Sequence, residues 1–235
     1  MADHHAPAAL EFLGKITNLV DKHAIRRVTD IQMHVDHTPD GMFIHQVRDL
    51  TEKYRRGGRV VVGHMAKLSL LPPGELARLA RRLADVGIAV TVLPATDLFL
   101  MGRDQDHSVR RGVANANVLI GHGVNCSLSS NNILNPATPY GDCSLIRMAN
   151  LYANVVQLDR PAQLQECFSM LTERSARVLN LRDYGFAPGN PADVVILNAQ
   201  TPEQAIAEIA RPVAAFKNGK QTVRWHAPEL LRPSA

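Results

Sequence analysis

The sequence is poor in cysteine, in aromatic residues and in long apolar runs. It has 3 cysteines in 235 residues and no CxxC pair, so an odd thiol remains and a disulfide framework is not expected. Phe, Trp and Tyr together make up 5%. No stretch approaches the roughly 18 consecutive apolar residues of a membrane helix. Residues 1–10 show neither the basic nor the apolar region of a secretory signal. These absences predict a protein of the cytoplasm.

The net charge of +4 does not indicate a nucleic-acid partner, because the basic residues are dispersed. They fall in separate segments, mainly 26–27, 53–56, 78–82 and 110–111, most with acidic residues close by. No membrane partner is expected either. The chain is 46% hydrophobic and 20% charged, which is the composition of an ordinary globular protein with one large or two small domains.

Helical and strand periodicities alternate from residue 8 onwards, which predicts an α/β fold with a parallel sheet. The predicted helices of these βα units are 8–23, 43–54, 75–86 and 109–120, and the predicted strands are 30–35, 59–63, 88–93 and 124–128. Four such units correspond to half of a barrel that closes with about eight. The pattern therefore predicts a half-barrel whose open edges are completed by a partner half or by a second copy.

The last part of the sequence changes pattern. Two helices are expected at 144–156 and 161–181, followed by short strands at 193–197, 213–217 and 221–225. Asn218-Gly219 is a favourable hairpin turn between the last two strands. The sequence therefore predicts a partial barrel domain over 1–185 and a small β appendage over 186–235.

Histidines follow two successive predicted strands. His34 and His64 come at equivalent strand ends, where strand-to-helix loops meet at one edge of a parallel sheet. Their imidazoles are candidates to converge on one metal ion or one substrate. His37 lies in the loop after the first of these strands, either near such a site or simply solvated.

The loop over 129–142 is rich in amides and hydroxyls and contains two prolines. The side chains of Asn131 and Asn132 are candidates to hydrogen-bond a polar heterocycle. Plain turn chemistry explains the same composition equally well, because Asn, Ser and Pro favour turns for local reasons.

Several short motifs, taken in their order and spacing, point to a known family. They are Met33-His34-Val35-Asp36, Val60-Val61-Val62-Gly63-His64, Gly102-Arg103, Arg110-Arg111-Gly112, Gly123-Val124-Asn125, Asn135-Pro136, 175–181, Tyr184-Gly185, 189–197 and Asn218-Gly219-Lys220. With these motifs the chain resembles the C-terminal part of the amidohydrolase superfamily, in its cytosine-deaminase-like branch. The resemblance implies a (β/α)8 TIM barrel that holds a catalytic divalent metal, zinc or iron, and a small β domain.

The resemblance also implies roles for individual residues. His34 matches the metal-binding histidine of barrel strand 5, and His64 matches the strand 6 histidine that contacts substrate or the attacking water. His37 falls where the family has a proton-shuttling glutamate, and Asn131 falls where it has the metal-binding aspartate of strand 8. The pocket aromatic of the branch falls at Ala137, which argues against cytosine itself.

The His-x-His pair of the family's first strand has no counterpart in the sequence. The predicted function is therefore that of a hydrolase of non-peptide C–N bonds in a cyclic amidine or amide, once an upstream half completes the site. The alternative is a truncated, non-catalytic half-barrel that holds no metal and dimerises or binds a polar heterocycle without turnover. A nucleotide-binding domain is disfavoured, because no GxGxxG or GxxxxGK loop is present.

Overall fold

A computed structural model describes residues 29–32, 39 and 41–226 of the chain. Its centre is a parallel sheet with the strand order β1-β2-β3-β4, which confirms the predicted α/β class. The strands are β1 (Thr29–Gln32), β2 (Val60–Gly63), β3 (Ile88–Val92) and β4 (Cys126–Leu128). All three pairings are parallel. The strand-to-helix loops therefore share the carboxyl edge of the sheet.

Helices follow the strands and cover the sheet. They are α1 (Ile44–Lys53), α2 (Pro73–Asp85), α3 (Pro94–Leu100), α4 (Ala116–Gly121), α5 (Leu145–Val155), α6 (Pro161–Ser169) and α7 (Glu173–Val178), with a 3₁₀ turn at Ala66–Leu70. The helix α2 buries Leu76, Leu79 and Leu83 on one side, as its periodicity predicts. It ends at Asp85, and the chain turns away at Gly87, whose φ of 68° suits a residue without a Cβ.

The core lies between the sheet and these helices. All four residues of β2 are buried, as expected for a parallel strand covered on both faces. Cys126 of β4 is also buried, and burial raises the pKa of its thiol to about 12. This thiol is therefore an inert packing group.

Two predicted helices differ from those observed. The helix predicted over 109–120 begins only at Ala116, because Asn115 caps it through a bond from Val118 N–H to its Oδ1 (3.1 Å). The helix predicted over 161–181 is divided into α6 and α7. The carbonyl of Met170 accepts hydrogen bonds from Leu128 N–H and Ser175 Oγ, which ends α6 there. The helix predicted over 8–23 lies outside the described residues.

The C-terminal part contains a second, antiparallel sheet. Its strands are β5 (Val194–Leu197), β6 (Pro212–Lys217) and β7 (Lys220–Arg224), with the Asn218-Gly219 turn joining the last two. A helix that the sequence reading missed, α8 (Pro202–Ala207), packs against α5 and α6 and buries Ile206 in the main core. The predicted boundary between residues 185 and 186 stays a prediction.

Within the described ranges, no helix has the length and apolar character needed to cross a membrane.

We expect Tyr152→Phe to lower the free energy of unfolding by about 1–3 kcal/mol. The Tyr152 side chain is fully buried, and its hydroxyl donates to Asn117 Oδ1 (2.7 Å) and accepts from Asn117 N–H (3.1 Å). Tyr140→Phe is the matched control, because Tyr140 is 69% exposed, and it should change stability by less than about 0.5 kcal/mol. Urea unfolding of both variants measures the difference in stability. Equal losses of stability in the two variants would show that the buried hydroxyl of Tyr152 does not stabilise the fold.

Candidate functional site

The candidate site begins with His64, which follows β2 directly at the carboxyl edge of the sheet. His64 is 6% exposed, and its φ is 52°, in the left-handed region that non-glycine residues seldom adopt. Such a conformation persists where surrounding contacts hold it, and it is concentrated at functional sites. Side-chain contacts on both ring nitrogens hold this imidazole.

The first contact is with Asp97, which lies in the first turn of α3. His64 Nδ1 is 2.9 Å from Asp97 Oδ1, and the Asp97 side chain is fully buried. The helix α3 starts at Pro94, shortly after β3 ends. Asp97, in the first turn of this helix, therefore lies at the same edge of the sheet as His64. The other oxygen, Oδ2, is buried and makes no hydrogen bond in the described part of the chain.

The second contact is with Asn131, in the loop after β4. Asn131 Nδ2 lies 2.6 Å from His64 Nε2. Asn131 also has a left-handed backbone, with a φ of 60°. Three neighbouring strand ends thus bring Asp97, His64 and Asn131 into one hydrogen-bonded row, which we call the His64 row.

The Asn131 loop is fixed to α3 by a pair of buried hydroxyls. Thr96 Oγ1 and Thr138 Oγ1 are 2.6 Å apart, and both side chains are almost fully buried. Thr96 Oγ1 also donates to the carbonyl of Ser130 (3.3 Å). The loop that carries Asn131 is therefore held against the helix that carries Asp97, which keeps the His64 row in one geometry.

The remaining predicted residues are placed differently. Asn132 Oδ1 accepts a hydrogen bond from Asn135 Nδ2 (2.8 Å), so its side-chain carbonyl serves the loop itself. Asn132 also lines a small cavity, together with Ser130 and Tyr140. His34 and His37 lie outside the described residues. Of the predicted site residues, the structure brings together His64 and Asn131.

Asp97 is the functional candidate that sequence reasoning missed. The sequence does place an acid three residues after the proline that opens α3, on the edge where ligand sites form. That signal marks a polar strand end, but only the fold shows that its carboxylate reaches His64.

The described residues do not by themselves fit a metal ion. They contain no group of three His, Cys, Asp or Glu side chains able to hold one. A catalytic zinc takes three protein ligands. The His64 row offers one imidazole and one carboxylate, and Oδ1 of that carboxylate already faces His64 Nδ1.

We expect Asp97→Asn to raise the melting temperature at pH 7. Burial raises the pKa of the Asp97 carboxyl above its ordinary value of 3.8, and the bond and charge of His64 oppose this only in part. The folded protein therefore holds this proton more tightly than the unfolded chain, so ionisation of Asp97 lowers stability as the pH rises through the raised pKa. The gain in melting temperature of the variant over the wild type should shrink as the pH falls towards 3.8.

Asp142→Asn is the control, and it should lower the melting temperature at pH 7. The Arg147 guanidinium lowers the pKa of the Asp142 carboxyl, so this charge stabilises the fold at neutral pH and the contribution is lost as the pH falls through the lowered pKa. Thermal melts of both variants between pH 3 and 8 test the pair. A loss of melting temperature at pH 7 in both variants would contradict the account of Asp97.

Comparison with known proteins identifies the family. The fold is α/β, with a polar site at the carboxyl edge of a parallel sheet, as in barrel and open-sheet enzymes. The model of the amidohydrolase family matches residues 9–223, and the chain belongs to this family. This confirms the resemblance noted in the sequence.

Two individual relatives match 81% and 45% of the chain. A pterin deaminase of Rhizobium rhizogenes is 27% identical over 195 residues, which are 81% of this chain and 44% of that protein. An N-isopropylammelide isopropyl amidohydrolase of Pseudomonas sp. (strain ADP) is 31% identical over 107 residues, 45% of this chain and 27% of that protein.

A solved structure shows the same fold. The 5-methylcytosine deaminase of Klebsiella pneumoniae with 5-fluorocytosine superposes with a TM-score of 0.87 at 24% identity, over 95% of this chain and 54% of that one. The chain thus spans about half the length of this deaminase and of the pterin deaminase.

Proposed function

We propose that the protein takes part in deaminase-type hydrolysis of a C–N bond on a small polar heterocycle. The observation that carries the proposal is the His64 row, in which a buried imidazole is held between Asp97 and Asn131 at the carboxyl edge of the sheet. The relatives act on pterin and on N-isopropylammelide, and a structural neighbour is a 5-methylcytosine deaminase. All three names describe nitrogen heterocycles.

In this reaction a water molecule gives up a proton as its oxygen bonds to the ring carbon, and the bond from that carbon to the exocyclic nitrogen breaks. The nitrogen takes up the proton that the water lost and leaves as ammonia or an amine. His64 accepts or returns that proton at Nε2, and Asp97 fixes the ring from the other side. Asn131 and Asn132 contribute amide contacts to the heterocycle. His37 is proposed to carry a second proton, and His34 to be a metal ligand.

The proposal includes a completing half of the barrel. Four parallel strands are half of the eight in a closed (β/α)8 barrel, and the described residues supply too few ligands for a metal. Zinc or iron would therefore depend on His34 and on further ligands beyond the described residues. Those residues come from the same chain, from a separate chain or from a second copy.

A second candidate function is binding of the heterocycle without turnover. It is favoured by the neutral amide of Asn131 on His64 Nε2, because an amide cannot act as a base near pH 7.

One assay separates the two candidates. The purified protein, with and without added zinc or iron(II), is incubated with pterin, N-isopropylammelide and 5-methylcytosine, and released ammonia or amine is measured beside calorimetric binding. Release above that of a His64→Gln variant supports hydrolysis. Binding without release supports the second candidate. Neither binding nor release with any of the three would overturn both.

A further inference from the structure

The His64 row has a direction, because a neutral imidazole carries one hydrogen and can donate at only one nitrogen. A carboxylate accepts hydrogen bonds and does not donate them. With Asp97 Oδ1 at 2.9 Å, the hydrogen of His64 is required on Nδ1. Both side chains are buried, so water does not compete for this bond.

The other end of the row gives the same answer independently. Asn131 faces His64 Nε2 with its amide nitrogen at 2.6 Å, and an amide N–H is a donor. The Nε2 atom therefore accepts. The two contacts come from different elements, the helix α3 and the loop after β4, and they agree on one tautomer.

We propose that Asp97 is a positioning residue that holds His64 in the Nδ1–H tautomer, so that Nε2 is a fixed acceptor and the site selects ligands with an N–H group there. The choice of ligand rests on the proposed function, whereas the tautomer does not. A ligand amino group replaces the Asn131 N–H as the donor to Nε2. An oxo group at the same ring carbon would set two acceptors against each other and leave the buried Nε2 unpaired.

The expected specificity is for the amino form of a heterocycle over its oxo form. Pterin and lumazine, which differ by an amino or an oxo group at one ring carbon, form a suitable pair. We expect pterin to bind about tenfold to a hundredfold more tightly than lumazine, the usual effect of leaving one buried polar group unpaired. Because the product of deamination carries the oxo group, the same difference in affinity would favour release of the product.

The experiment that tests the tautomer needs no ligand. Protein labelled with ¹⁵N-histidine is studied at pH 7.5 by long-range ¹H–¹⁵N correlation, and the His64 signals are assigned by their loss in His64→Gln. We expect Nδ1 to be protonated and Nε2 to be bare. Asn131→Ala removes the donor at Nε2 and keeps Asp97 at Nδ1, so the hydrogen should stay on Nδ1. Adding Asp97→Asn to that variant offers an amide donor to Nδ1, so the hydrogen should then move wholly or partly to Nε2. Asp85→Asn, an exposed substitution at the end of α2, should leave the pattern unchanged.

The outcomes separate the two claims. A bare Nδ1, a doubly protonated ring in the wild type, or an unchanged pattern when Asp97→Asn is added to Asn131→Ala would overturn the role of Asp97, whatever the enzyme activity. Equal binding of pterin and lumazine would overturn the selection of N–H donors. The predicted tautomer with no binding of either compound would retain the role of Asp97 and remove pterin from the proposed function.

Discussion

Replacing His64 with glutamine is expected to lower the rate of C–N hydrolysis by about 10²- to 10⁴-fold, the usual contribution of a positioned acid or base. A glutamine amide can hydrogen-bond Asp97 and Asn131, but it cannot take up a proton near pH 7. The variant therefore removes proton transfer and keeps much of the polarity of the site. Initial rates of ammonia or amine release measure the effect.

His45→Gln is the matched control, because His45 is exposed on α1. It should leave the rate within experimental error of the wild type. Retention of full activity by a folded His64→Gln variant would show that the chemistry takes place elsewhere.

Asn131→Asp is expected to place a hydrogen on Nε2 of His64. In the wild-type row, the ring has a carboxylate at Nδ1 and an amide N–H at Nε2. The substitution puts an acceptor at both nitrogens, so a hydrogen on Nε2 has a carboxylate to donate to. The change should be visible as protonation of Nε2 in the ¹⁵N spectrum. It also places a carboxylate where the family pattern has one.

Asn154→Asp, on the exposed side of α5, adds the same charge away from the site and should leave the His64 spectrum as in the wild type. If His64 in Asn131→Asp keeps a bare Nε2, then Asn131 is not in contact with the ring in solution.

The parallel sheet was predictable because its signals are local. The Val-rich run of β2, the leucine spacing of α2 and the glycines that end each unit identify strand and helix without knowledge of their neighbours. Since all parallel strands share a carboxyl edge, His64 and Asn131 could be placed at one edge of the sheet from the sequence alone.

The parts that escaped prediction depend on contacts between distant residues. The break between α6 and α7 arises at Met170, whose carbonyl bonds to the backbone of β4. The role of Asp97 arises from a contact across 33 residues, which no local pattern contains. The Asn131 loop is composed like an ordinary turn, and its bonds to Thr96 and His64 show that it is held at the site.

The most direct test of the account is an experimental structure of the protein with pterin bound. The account predicts that the ring lies at the carboxyl edge of the parallel sheet, with its exocyclic amino group within hydrogen-bond distance of His64 Nε2 and with Asn131 displaced from that atom. A pterin bound at another surface, or a pterin at this edge that leaves the Asn131 to His64 bond intact, would contradict it.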